Sequence, residues 1–217
     1  NRHKNLKTVI LEAIRQEHSL ENPYLKFKQK YETPSTTFIT LDEILKLEDI
    51  EFKKENSILE EVRDMFVFSC FCGLRFSDIV TLKWTDLDDK NETITKIQVK
   101  TNKKNEIPLC LRAIALIKKY EFRKVESEFV FNSISNQKTN ANLKTLADKA
   151  GIKKCLTYHV SRHTCASNLA ENNINLIAIR NILGHANIKE TQRYAKVSTN
   201  TLRKAVSTFD TYAPSCN

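Results

Sequence analysis

Apolar positions recur along most of this chain at three- and four-residue intervals, the signature of helices with one buried side. The segment NLKTVILEAIRQE sets Leu6, Val9, Ile10 and Ala13 on one stripe, so a helix is expected there. ENPYLKFKQKYETPSTT, with two prolines and no clear period, reads as a linker. Thr40 followed three residues on by Glu43 is a capping-box pattern and predicts a helix through EILKLED. ILEEVRDMFVFSCFC is a further helix, growing more apolar towards its end and closed by Gly73. A short helix is expected in RFSDIVTLKW. The period then changes to two. TITKIQVKT and KKNEIPLC read as two strands joined by a polar hairpin turn.

Helical spacing returns in LRAIALIKKYEF, EFVF is a short extended piece, and NANLKTLADKA is a helix stopped by Gly151. Helices are then expected over about Tyr158 to Glu171, over NLIAIRNIL up to Gly184, over IKETQRYAKV and over TNTLRKAVSTF. The fold class is mainly α with a small antiparallel β-sheet between two helical groups. The chain opens inside a helical pattern, which suggests a fragment that lacks an N-terminal region.

Composition narrows the function. The 217 residues suffice for one full domain and part of another. Thirty-five Lys and Arg against 26 Asp and Glu leave a net charge of +9, which fits a polyanionic partner such as nucleic acid or, equally, an ordinary basic surface. Cysteines at 70, 72, 110, 155, 165 and 216 lack paired metal spacing, and are expected to be buried reduced thiols. No signal peptide and no membrane-crossing apolar run is evident, so a cytoplasmic location is expected.

Candidate chemistry starts from HVSRH, residues 159–163, which puts His159, Arg162 and His163 on the side of a helix that continues as Ala166, Leu169 and Ala170. Helices aim such a stripe at the core, yet this one opens with three groups that carry or hold protons. A cation is poorly placed at the positive end of a helix, and a bound anion there would remove the objection. The HxxxH spacing also occurs in metal sites, but no acidic residue lies within it, so no metal is expected. Arg75 follows the helix-stopping Gly73 and is either a salt-bridge partner of Asp78 or a stiffly held fork for an oxyanion. Lys100, at the mouth of the hairpin, is either solvent-facing or a proton donor with a lowered pKa. Tyr194, nine residues after His185, is either a packing residue or a phenol whose attack needs help from nearby cations or a general base, its ordinary pKa being about 10.

Together these residues match a family. GLRFSDIVTLKWTDL, VKTNKKNEIPL, HVSRHTCASNLAENNINLIAIRNILGH and TQRYAKV resemble, in order and approximate spacing, the catalytic domain of tyrosine recombinases, the phage-integrase family, and particularly the integrases of bacterial mobile elements. The similarity covers roughly residues 36 to 205. It implies that Arg75 and Arg162 grip a scissile phosphate, that Lys100 protonates the leaving 5′ oxygen and that His159 is a general acid/base. It implies further that His185 hydrogen-bonds the phosphate and that Tyr194 is the nucleophile. The reaction it implies is strand cleavage and rejoining through a 3′-phosphotyrosyl link and a Holliday junction, with no cofactor and no metal.

The resemblance also implies a partition into 1–21, the last helix of a truncated core-binding domain, 22–39, a linker, 40–210, the catalytic domain with its C-terminal helix, and 211–217, a tail. Weakened DNA binding is expected from the incomplete clamp. Expected partners are double-stranded DNA with attachment or core sites and further copies of the chain, as dimer to tetramer on DNA, with no membrane and a location at the bacterial nucleoid. The sequence departs from the family pattern in two places. Asp78 stands where Glu is frequent, and the hairpin lacks Gly-Lys-Gly, which leaves Lys103 as the alternative to Lys100. A type IB topoisomerase and a non-catalytic DNA-binding protein are the competing functions.

Overall fold

The computed structural model describes residues 2–18, 21–25, 36–52, 57–195, 203, 206 and 207. The chain divides into two compact units, Asn1–Ser35 and Thr36–Asn217. In the first, helix α1 (Arg2–Arg15) buries no residue, and Leu6 and Val9 of its apolar stripe are exposed.

The second unit holds α2 (Leu41–Glu48), α3 (Ile58–Cys72), α4 (Phe76–Ile79), β1 (Leu87–Asp88), β2 (Thr93–Ile97), β3 (Lys104–Pro108) and α5 (Leu111–Lys118). These are followed by α6 (Asn136–Lys149), α7 (Tyr158–Glu171), α8 (Leu176–Leu183) and α9 (Ile188–Gln192). Local chemistry sets several boundaries. Thr40 and Glu43 form the full capping box at the start of α2, with Thr40 N–H donating to Glu43 at 2.8 Å and Glu43 N–H to Thr40 Oγ1 at 3.3 Å. Gly73 ends α3 in the left-handed conformation, φ 68°, which a side chain resists.

α3 is the central strut and packs on α2, α5, α6 and α7. Met65, Phe66, Val67 and Phe68 are fully buried, each contributing roughly 1.5–3 kcal/mol of transfer free energy. Three acids of its first two turns, Glu60, Glu61 and Asp64, are buried all the same, because partners arrive from residues 119–123. Arg123 donates to Glu61 at 2.6 Å, and Lys119 and the Tyr120 hydroxyl each donate to Asp64 at 2.8 Å.

The strands form one antiparallel sheet in the order β1-β2-β3, with Thr93 opposite Pro108 and Ile97 opposite Lys104. Both hairpin strands are shorter than their alternation suggests, and Lys100 lies in the turn between them. From the far half of β2 into the turn the burial is inverted. Lys96 and Gln98 are buried while Ile97 and Val99 are exposed.

EFVF is the short extended piece expected, held by an isolated bridge between Lys83 and Phe129. Other expectations need correction. IKETQRYAKV stops being helical after Gln192, so Tyr194 sits in a turn. Cys70, Cys72 and Cys165 are buried free thiols, but Cys110 and Cys155 are exposed, the first as the residue that opens α5, the second in the loop ahead of α7. Cys216 lies outside the described residues, as does the expected helix 199–209 apart from the helical Arg203, Val206 and Ser207. Finally, α7 is buried on two sides. Tyr158 and Val160 join the main core, whereas Ala166, Leu169 and Ala170 join a smaller cluster with Ile179, Leu183 and Tyr194.

Candidate active site

Two helix ends meet at the centre of the site. The Gly73 carbonyl at the end of α3 accepts a hydrogen bond from Arg162 Nη1 at 2.7 Å, and the Leu183 carbonyl at the end of α8 accepts one from Nη2 at 2.6 Å. Arg162 is 3% exposed, and these two carbonyls answer the objection to a cation near the start of α7. α8 closes on Gly184 in the left-handed conformation, φ 60°, with the Gln98 side chain pressed so near that an added Cβ would lie 2.1 Å from Nε2.

Gln98 ties the pieces together. Its Oε1 accepts from Arg75 Nη1 at 2.6 Å and from the Thr101 hydroxyl at 2.9 Å, and its Nε2 donates to the Leu183 carbonyl at 3.2 Å. Leu183 O therefore serves both Gln98 and Arg162. Asp78 Oδ1 accepts the Val99 N–H at 2.9 Å, which fixes the hairpin turn beside Lys100, and its Oδ2 lies 3.8 Å from Arg75 Nη1. The salt-bridge reading of Arg75 is thus met only loosely. Its strong bond is to the amide.

Arg75, Lys100, His159 and Arg162 line one open cavity of about 490 Å³, shared with Leu74, Phe76 and Tyr158. Lys100 stands exposed at its rim. Tyr158 Oη bonds Ser69 Oγ at 2.5 Å and donates to Met65 O at 3.0 Å, and the Asn140 side chain accepts the Tyr158 N–H at 2.8 Å, anchoring the first turn of α7. The polar opening of that helix is the wall of a cationic cavity, which explains the HVSRH pattern.

Tyr194 is 7% exposed and lies behind this wall. Its hydroxyl is 2.6 Å from His163 Nδ1, and the His163 ring meets that of His159 edge to face at 4.4 Å. His185 Nδ1 bonds the Thr191 hydroxyl at 2.9 Å, and its Nε2 is 3.8 Å from Glu190. Arg193 lies over the Tyr194 ring at 5.7 Å and donates to Thr36 Oγ1 at 3.1 Å.

Burial and crowded positive charge favour the neutral form of every histidine here. His163 is pushed down to about 4 by burial and then by His159, Arg193 and Arg162. His185 is pushed down to about 3 by burial and then by Arg162, Arg75, Arg193 and His159, and His159 is lowered by burial and the same arginines with Lys100. Burial, followed by Arg75, brings Arg162 down to about 10, still protonated at neutral pH. Burial raises the Tyr194 pKa. Arg193 and Arg162 do pull it down, but the net direction is upward.

Comparison with known proteins decides the family. Residues 37–201 match the model of the phage integrase family. The chain belongs to the phage integrase family. It is a tyrosine-type site-specific recombinase by class. It is 30% identical over 213 residues to tyrosine recombinase XerD of Staphylococcus aureus, a match that covers 91% of this chain and 70% of that one. Tyrosine recombinase XerA of Thermococcus onnurineus is 33% identical over 154 residues, covering 66% of this chain and 54% of the relative. Among solved structures, the Tn1549 transposon integrase bound to circular intermediate DNA superposes with a TM-score of 0.77 at 20% identity. That match covers 94% of this recombinase and 77% of that chain.

Of the six residues singled out in the sequence, four line the cavity. His185 and Tyr194 come close behind it without lining it. Gln98 and His163 carry contacts that the sequence did not assign. The only signal for Gln98 was a polar residue in register with the inward Ile94. His163 was marked as one of three polar groups on the buried side of α7, but no role was attached to it. Among the described residues no three metal-ligating side chains come together, and no helix is long and apolar enough to cross a membrane.

Proposed function

We propose that this recombinase cuts and rejoins double-stranded DNA through Tyr194, with Arg75, Lys100, His159, Arg162 and His185 handling the scissile phosphate. The carrying observation is the cavity that gathers Arg75, Lys100, His159 and Arg162, with the Tyr194 hydroxyl one histidine behind it. Two guanidinium forks held against backbone carbonyls and Gln98 suit a phosphodiester with two non-bridging oxygens, and stabilise the extra negative charge of a pentacoordinate transition state.

In the proposed step, Tyr194 Oη bonds to phosphorus and the bond to the 5′ oxygen breaks. Lys100, on the mobile-length stem of a lysine at the hairpin tip, protonates that leaving oxygen. The 3′-phosphotyrosyl ester keeps the bond energy, so a 5′ hydroxyl of another strand reverses the step, and two such rounds pass through a Holliday junction. His159 and His185 supply hydrogen bonds and proton exchange at the phosphate. Catalysis is assigned to 40–210, and the helix within 1–21 to the DNA-clamping part of the protein, with 22–39 as linker and 211–217 as tail. The transposon integrase was solved with DNA, which supports duplex DNA as partner here, and the charge of +9 agrees. Assembly into dimers and tetramers on attachment sites, at the cytoplasmic nucleoid, completes the reading.

Covalent capture tests it. The 217-residue protein is incubated with a pool of nicked duplexes of randomised sequence, and denaturant-resistant adducts are recovered and sequenced. Wild type should enrich a core sequence as an adduct, and Tyr194→Phe should give none. Binding without any adduct by wild type would leave a DNA-binding protein and refute the proposal.

A further inference from the structure

Among the described residues, the reacting hydroxyl of Tyr194 is hydrogen-bonded to His163, which is none of the six residues above. The hydroxyl sits 2.6 Å from His163 Nδ1, with the ring centroids 5.9 Å apart and the planes tilted by 52°. His163 is 9% exposed and Tyr194 7%, so the bond is shielded from water. His159, one helical turn earlier, turns its ring to the cavity and touches His163 by its edge. The two histidines thus stand in series, one facing the phosphate cavity and the other facing the phenol.

We propose that His163 Nδ1 is the base that takes the phenolic proton of Tyr194 during strand cleavage. The proposal rests on the reading of Tyr194 as nucleophile and divides the work that a single histidine would otherwise do. As Oη bonds to phosphorus, its proton passes along the existing hydrogen bond to Nδ1. The P–O5′ bond breaks, and the 5′ oxygen takes its proton from Lys100. Rejoining returns the Nδ1 proton to the phenol as the ester is displaced, so the proton count closes over one cycle.

Three features fit the role. The acceptor is already within transfer distance of the proton it must take. A neutral ring whose Nδ1 accepts has its proton on Nε2, so a vacant lone pair faces the hydroxyl. The ring is kept neutral by burial and by His159, Arg193 and Arg162, the charged groups that face it from α7 and from the turn after α9. A phosphodiester entering between those cations neutralises part of their charge and raises the basicity of His163 when the phenol needs a base. His159 is left free to serve the phosphate.

The test uses a duplex recovered by the capture experiment and measures single-turnover cleavage by wild type, His163→Asn and His163→Ala. The asparagine oxygen stands near the Nδ1 position and accepts the phenolic hydrogen bond, but it cannot take the proton. Both variants should bind the duplex within about twofold of wild type and still cleave at least ~100-fold more slowly, a general-base loss. Added imidazole should speed His163→Ala and leave His163→Asn unchanged. Cleavage by His163→Asn within about threefold of wild type would reduce His163 to a positioning contact and overturn the proposal. Failure of imidazole to speed a folded, DNA-binding His163→Ala would do the same. Adduct formation by Tyr194→Phe is a separate outcome that removes the nucleophile reading itself.

Discussion

Replacing Gly184 with alanine should loosen Arg75 without touching it, through Gln98. Gly184 sits at φ 60°, where a Cβ costs about 1–2 kcal/mol of backbone strain. The new Cβ would also lie 2.1 Å from Gln98 Nε2, 2.7 Å from Cδ and 2.9 Å from Oε1. The amide can swing aside, but it is 1% exposed and holds three hydrogen bonds. Losing the bond from the charged Arg75 costs about 1.5–3 kcal/mol, and the neutral bond to Leu183 O about 0.5–1.5. With strain included, Gly184→Ala should destabilise the protein by roughly 3–6.5 kcal/mol.

In a Gln98→Ala background the clash is gone and those bonds are already lost, so the same change should cost only about 1–2 kcal/mol. A double-mutant cycle by urea unfolding should therefore show a coupling of about 2–4.5 kcal/mol. Cleavage should fall in both single variants, because Arg75 loses its 2.6 Å anchor in each. Additivity within about 0.5 kcal/mol would mean that Gln98 and Gly184 do not share an interaction, and the bridge would be wrong.

Arg162→Lys should fold yet lose at least ~100-fold in cleavage, since one ammonium cannot hold the Gly73 and Leu183 carbonyls and a phosphate together; single-turnover rates within threefold of wild type would refute this. Tyr158→Phe should lose about 1–2 kcal/mol of stability with its buried bonds to Ser69 and Met65, read from thermal unfolding; an unchanged Tm would contradict it. Acid should destabilise the protein through its histidines. Their pKa values are depressed in the folded state, to about 4 for His163 and about 3 for His185, so the stability is fully present above the unfolded value of 6.5. It falls as pH drops from 6.5 towards 4, where the unfolded chain binds more protons. Tm measured from pH 7 to 5 should decline, and less steeply in His163→Asn/His185→Asn; a flat wild-type profile would count against the neutral-histidine site.

Features that depend on neighbours a few residues apart were legible in the sequence. The Thr40–Glu43 box and the glycine stops at 73 and 184 are written in adjacent residues, and they form as expected. Lys100 was expected at the mouth of the hairpin, and it does reach the cavity, from a turn tied down by Asp78. Contacts across long stretches of chain were not legible. Gln98 meets Leu183, and the buried acids of α3 meet cations about 60 residues on, so each looked like an ordinary polar position. The inverted burial of β2 has the same origin. Lys96 is drawn in by Asp86 and the Thr81 carbonyl, and Gln98 by Arg75 and the Leu183 carbonyl, which leaves Ile97 and Val99 outside. Tyr194 misled in a subtler way. Its cationic neighbours were foreseen, but not that the ring would be buried deeply enough for burial to outweigh them.

The most direct measurement is the chemical identity of the covalent link. DNA trapped on wild-type protein is digested with protease and nuclease, and the remaining peptide–nucleotide conjugate is sequenced by mass spectrometry. The account predicts a nucleotide joined through its 3′ phosphate to the Tyr194 oxygen. A conjugate on any other residue, or one joined through a 5′ phosphate, would contradict it.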